Sequence, residues 1–147
     1  MAVLIVLCTD WLGFRALGAA GVPALAAWSS SGQYALAAMF VFTALAHFTK
    51  MKHELARMVP GIFPRPLLVV YATGMLEFAG AAGLLLPRFR AAAAFCLIVL
   101  LGAMFPANVK AVRDWLTLRG KRAHTLWLRA PMQVLFIGLL WWSCMRT

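Results

Sequence analysis

The stretch that decides the fold is Pro66-Leu-Leu-Val-Val-Tyr-Ala-Thr-Gly-Met-Leu-Glu-Phe-Ala-Gly-Ala-Ala-Gly-Leu-Leu-Leu-Pro87. It is apolar for long enough to cross a bilayer, which takes about 20 such residues. Its one ionisable group, Glu77, sits mid-stretch among Gly74, Ala79, Gly80, Ala81 and Gly83. A charge at bilayer centre costs about 3 kcal/mol on insertion scales. Small residues let neighbouring helices approach closely. Glu77 is therefore expected to face other helices and not lipid.

Composition extends this reading to the whole chain. Of its 147 residues, 64% are hydrophobic and 12% charged, about half the charged share of a soluble domain. A soluble protein of this size has too little interior to hide so much apolar surface, so an integral membrane protein is expected. In a soluble chain a net charge of +10 would suggest nucleic acid. Here the basic residues fall in short loops between apolar runs, where they set orientation and meet the lipid bilayer; nucleic acid is not an expected partner. Cys8, Cys96 and Cys144 are far apart and form no Cys-x-x-Cys pair, so they read as small apolar core residues. Met1 onward lacks the positive start and cleavage site of a signal peptide, and the N-terminus is expected to be retained.

Working outward, five apolar segments can be drawn, about 2–27, 33–49, 66–87, 91–109 and 126–145, within a single membrane domain. Backbone groups in lipid must be bonded internally, so the segments are expected to be helices. The first carries Asp10, Arg15 and a Gly21-Val-Pro23 break, and each charge is expected to find its partner on another helix. Between segments two and three, Met51, Leu55 and Met58 recur at helical spacing among Lys50, His53, Glu54 and Arg57. This predicts a short amphipathic helix on the membrane surface, stopped by Pro60, Pro64 and Pro66. The fold class is thus an all-α membrane protein: a four-helix transmembrane bundle, an extra N-terminal hydrophobic helix and this short helix.

Lysine and arginine cluster in two loops, Lys50 to Arg65 and Lys110 to Arg122. The positive-inside rule puts both loops in the cytoplasm, with the N-terminus in and the C-terminus out. Trp127 at one end of the fifth segment, and Trp141 and Trp142 at the other, suit interfacial anchors.

The polar residues inside the spans are the candidate site. Thr73 and Glu77 share a face of the third helix at i, i+4. Thr43 and His47 do so on the second, and Arg129 and Gln133 on the fifth; Asn108 follows Pro106 on the fourth. At 1.5 Å per residue Glu77 lies ~16 Å from the start of its helix, so all these groups occupy the cytoplasmic half, where converging faces would form a polar pocket. Glu77 and His47 are the expected acid–base residues; Thr43, Thr73, Asn108, Arg129 and Gln133 are expected to bind ligand. Each has a plain structural reading as well. Glu77 and Gln133 could tie helices together, Arg129 could reach to headgroups, His47 could be interfacial, and Asn108 could mark a helix terminus. His53 and His124 lie in loops and read as solvated. No metal-ligand cluster, facing histidine pair for haem, phosphate-binding glycine loop or nucleophile elbow is present.

Ala46-His47-Phe48, Met58-Val59-Pro60 with Pro64, Thr73-Gly-Met-Leu-Glu77 leading into Gly80-Ala-Ala-Gly-Leu-Leu-Leu-Pro87, Phe105-Pro-Ala-Asn108, and Leu126-Trp-Leu-Arg129 with Pro131-Met-Gln133 together resemble the DoxX family of small bacterial membrane proteins. The likeness covers roughly residues 33–145. It implies a four-helix bundle in the bacterial inner membrane and an association with respiratory or redox systems, including a thiosulfate:quinone oxidoreductase subunit. On that basis the leading expectation is a membrane component of a redox system. It holds no intrinsic cofactor, a quinone is its ligand, and a redox partner protein supplies electrons. A non-enzymatic assembly partner for another membrane protein and a small-solute or proton carrier are the two rival expectations.

Overall fold

A computed structural model describes residues 2–113, 117–118, 121–122 and 126–145, with side chains for 2–113 and 130–145. The described residues form six α-helices, in order α1 (Ala2–Ala19), α2 (Trp28–Ala46), α3 (Lys52–Met58), α4 (Pro66–Leu85), α5 (Arg90–Arg113) and α6 (Leu126–Leu140). A 3-10 turn, Pro23–Leu25, joins α1 to α2, and α6 runs on as a π turn, Trp141–Met145. The rest of the described regular structure is one two-residue antiparallel pairing of Thr117–Leu118 with Lys121–Arg122. Each of the five expected apolar segments contains a long α-helix, the first only as far as Ala19, and the short segment between the second and third is helical too.

Among the described residues three helices are long and apolar enough to cross a membrane: α1 with 18 residues, α4 with 20 and α5 with 24. Proline brackets α4. Pro66 occupies the first turn, where its missing N–H is not needed, and Pro87 follows the last residues. α1 ends in a Schellman turn: Val22 N–H bonds Leu17 O and Gly21 N–H bonds Gly18 O. Gly21 takes φ 107° there, a backbone state that a side chain disfavours.

Three boundaries differ from expectation. The first helix stops at Ala19, well short of residue 27, where the chain turns at Gly21 and enters the separate 3-10 turn Pro23–Leu25. The second helix starts at Trp28, not near residue 33. The run Ser29-Ser-Ser-Gly32 looks like a break, but Ser31 returns its hydroxyl to Ala27 O and Trp28 O. A serine that bonds within its own turn does not have to leave the helix. The fourth helix passes through Pro106 to Arg113, one turn beyond 109. Tertiary packing holds that extra turn: Ala111 is fully buried, and Lys110 Nζ donates to Arg57 O and Val59 O at the end of α3. Asn108 consequently lies inside a helix and not at its terminus.

The centre of the molecule is α2. From Ser31 to Phe40 only Tyr34 and Ala38 are not buried. α1 covers its first half through Leu7, Trp11 and Phe14; Trp11 lies against Trp28, and Phe14 against Tyr34. α4 lies along its length, α5 packs on α4, and α6 on α5. One hydrophobic cluster joins these helices through Leu7, Leu36, Phe40, Leu84, Leu97, Phe136 and Leu140. A helix shielded on so many sides need not be apolar, which is why α2 carries Ser31, Gln33 and Thr43.

Glycines set the spacing along α4. A methyl group on Gly74 would lie 2.6 Å from His47 Cβ, and one on Gly80 would lie 2.5 Å from Leu97 Cδ2. α2 and α5 therefore approach different sides of α4 closely because these positions lack a side chain. Arg15 finds its partner on the second helix, its guanidinium 5.2 Å from the Trp28 ring centre. No partner for Asp10 is seen among the described residues. Only Cys144 is a core thiol; Cys8 and Cys96 are exposed on the outer surface of α1 and α5. Trp141 and Trp142 are exposed at the end of the chain's last helix, His53 is exposed on α3, and His124 and the Trp127 side chain lie outside the described residues.

Candidate functional site

The carboxylate that stands out in the sequence is buried, with Glu77 only 4% exposed. Its position on α4 turns it toward α2, where Thr43 Oγ1 donates to Oε2 at 2.8 Å. His47 Nε2 stands 3.7 Å from Oε1, too long for a hydrogen bond but within ion-pair reach. His47 is itself buried, at the C-terminal cap of α2.

The other ring nitrogen of His47 is fixed. Nδ1 lies 2.8 Å from Val70 O. A carbonyl only accepts, so the proton on the imidazole sits at Nδ1. Thr73 Oγ1, 3.1 Å from Nδ1, adds a second contact while its hydroxyl donates to Val69 O or Val70 O. In the neutral ring Nε2 is then the open, basic position, and it faces the carboxylate.

This arrangement can hold one proton between Oε1 and Nε2. With the proton on either group the pair carries no net charge, so neither state leaves an isolated charge in an apolar interior. Adding or removing a proton from outside changes the pair by one unit. Such an assembly suits proton exchange with a bound molecule.

Three aromatic residues close the site toward α3. Phe48 packs on Tyr71 and Phe78, with ring centres 5.7 Å and 5.8 Å apart. Lys52 Nζ donates to the Tyr71 hydroxyl at 2.8 Å. The last turn of α2, the first half of α4 and the start of α3 are thus held together around His47.

The expected residues on the last two helices meet one another on a different seam. Gln133, buried on α6, donates Nε2 to Leu101 O of α5. Its Oε1 accepts from Asn108 Nδ2 at 3.5 Å. Arg129 belongs to α6, but its side chain lies outside those described. The structure therefore brings Thr43, His47, Thr73 and Glu77 together across α2–α4, and Asn108 with Gln133 across α5–α6.

Two contributors escaped sequence reading. Val70 supplies the carbonyl that fixes His47; it lies one turn before Thr73 on the same face, a spacing that names the neighbourhood but not the acceptor. Gln33 Nε2 donates to Leu84 O, one of the last α4 carbonyls, which have no partner within their own helix. A buried amide at the edge of an apolar run was the available signal. Among the described residues no group of three His, Cys, Asp or Glu side chains converges as a metal site would require.

A family model described as Domain of unknown function (DUF8561) matches residues 36–144. The chain belongs to that family. The match runs from within α2 to the π turn and takes in Thr43, His47, Thr73, Glu77, Asn108, Arg129 and Gln133, while α1 lies before it. Neither the curated proteins nor the solved structures contain a match.

Proposed function

We propose that the protein is a DoxX-like, multi-pass component of a redox system in the bacterial inner membrane. The His47–Glu77 pair exchanges a proton with a quinone-like headgroup. The observation that carries this reading is the fixed imidazole: with Nδ1 held by Val70 O at 2.8 Å and Nε2 facing Oε1 at 3.7 Å, one proton has two buried acceptors and no direct bond between them. A ligand oxygen near that gap gains a donor or an acceptor according to where the proton lies. Reduction of a quinone takes up two electrons and two protons. The electrons come from a partner protein and the protons pass through the pair.

In this reading α2, α4, α5 and α6 form the four-helix transmembrane bundle and α1 is the additional helix. Alternation of direction supports it, since Gln33 meets Leu84 at one end and His47 meets Val70 at the other. The loops carrying Lys50, Lys52, Arg57, Arg65, Lys110 and Arg113 then face the cytoplasm together. This puts His47 near the cytoplasmic surface, where protons are delivered. Arg129, one turn before Gln133, is a further candidate to hold a carbonyl oxygen of the ligand.

Purified protein in detergent is expected to bind a short-chain quinone analogue, with Glu77→Gln binding more weakly. Thr43 keeps an acceptor in that variant, so the fold is retained. Absence of binding to the unaltered protein overturns the proposal.

A further inference from the structure

α4 and α5 leave an apolar groove on their outer surface, away from the α2 seam, with a volume of about 670 Å³. Its floor is made of Gly80, Gly83 and Ala93, and exposed Leu76 and Val99 flank it. The floor cannot sink further. A methyl group on Gly83 would already lie 2.7 Å from Ala93 Cβ, so the helices are in contact beneath the groove and it cannot close by their approach.

The groove follows α5 from Ala92 to Ala103, which at 1.5 Å per residue is ~16 Å. The hydrocarbon core of a bilayer is about 30 Å thick, so the groove is as deep as one leaflet. A membrane-crossing helix has twice that length and would seat over only half of it. A single acyl chain has the matching length. Charge completes the match. Arg88 is exposed between Leu86 and Phe89, which line the end of the groove, and a guanidinium at that level suits a phosphate.

We propose that the α4–α5 groove binds an anionic glycerophospholipid, with one acyl chain along Gly80, Gly83 and Cys96 and its phosphate against Arg88. The inference is independent of the His47–Glu77 reading, because the groove lies on another face of α4. It makes the lipid a fixed neighbour of the α4–α5 pair, unlike the exchanging lipid around α1.

The test uses the full chain in phosphatidylcholine vesicles doped with phosphatidylglycerol bearing a diazirine on one acyl chain. After illumination, crosslinks are expected to concentrate on the groove, Cys96 included. The exposed substitution Ala92→Phe fills the groove and is expected to abolish those crosslinks. Arg88→Gln is expected to lower them about fivefold, the loss of one cation–lipid contact. The same diazirine on phosphatidylcholine is expected to label the groove less. Labelling spread evenly over the exposed faces of α1 and α5 overturns the proposal. So do equal labelling by the two lipids and a groove occupied by a second copy, read as Cys96–Cys96 crosslinking. If Ala92→Phe does not fold, Arg88→Gln and the lipid comparison decide.

Discussion

Gly74 tests the α2–α4 seam most directly. Replacing it with alanine adds one methyl group 2.6 Å from His47 Cβ and 3.0 Å from both His47 Cγ and Phe48 Cε2. Carbon atoms prefer separations of about 3.5–4.0 Å. The Cβ of His47 is bonded to the backbone and cannot rotate away, so α2 and α4 must part by about 1 Å to regain that distance. Overpacking of this kind costs about 1–3 kcal/mol. Alanine returns about 0.5–1 kcal/mol through its better helix preference. The net expectation is a loss of up to about 2.5 kcal/mol, together with a weaker His47 contact to Val70 O. Gly102 and Gly138 provide the control, because a methyl group at either has nothing within 4 Å. Gly102→Ala and Gly138→Ala should gain the helix preference without the clash. Thermal unfolding in detergent, followed by tryptophan fluorescence, should put Gly74→Ala below the unaltered protein and both controls at or above it. A Gly74→Ala variant as stable as Gly102→Ala refutes the close packing described for this seam.

The remaining predictions concern single contacts. Gln33→Leu removes the donor to Leu84 O and should lower stability by about 1–2 kcal/mol by the same unfolding measurement; no change means that this carbonyl is satisfied elsewhere. Lys110→Met frees the carbonyls of Arg57 and Val59, so hydrogen exchange should quicken in α3 and the turn after it while α4 is unaffected. Equal rates in both proteins contradict the capping role. Thr43→Val and Glu77→Leu should be coupled by about 0.6 kcal/mol, the average for a hydrogen bond between membrane helices. A double-mutant cycle that gives strictly additive losses would show that the 2.8 Å contact contributes nothing.

Much of the secondary structure was legible because the two strongest local signals, apolar length and proline, coincide. Pro66 and Pro87 bracket the expected third helix, and α4 ends within two residues of that limit. The pairing of Thr73 with Glu77, and of Thr43 with His47, was also legible, since residues four apart share a face whatever the helix packs against. Pro106 misled in the other direction. Its local cost to a helix is real, but buried Ala111 and the Lys110 contacts to α3 outweigh it, and those contacts are non-local.

The single pocket expected from Glu77, His47, Arg129 and Gln133 shows the same limit. Each residue could be assigned to a helix and a depth. Which helix face meets which is not written in the spacing of any one segment. In the fold Glu77 turns to α2, and the described bonds of Gln133 reach α5. The Val70 carbonyl that orients His47 is a backbone group, and side-chain chemistry cannot announce it.

The sequence by itself determined an apolar helical chain, the ends of α4, and a buried carboxylate among small residues. These follow from transfer free energy and from backbone geometry, which act on each residue locally. The tertiary structure decided that α2 is the central helix, that His47 and Thr43 are the partners of Glu77, and that α4 and α5 leave an apolar groove between them. Those outcomes depend on which helix faces touch, and the glycines at 74, 80 and 83 fix that only once α2 and α5 lie against them.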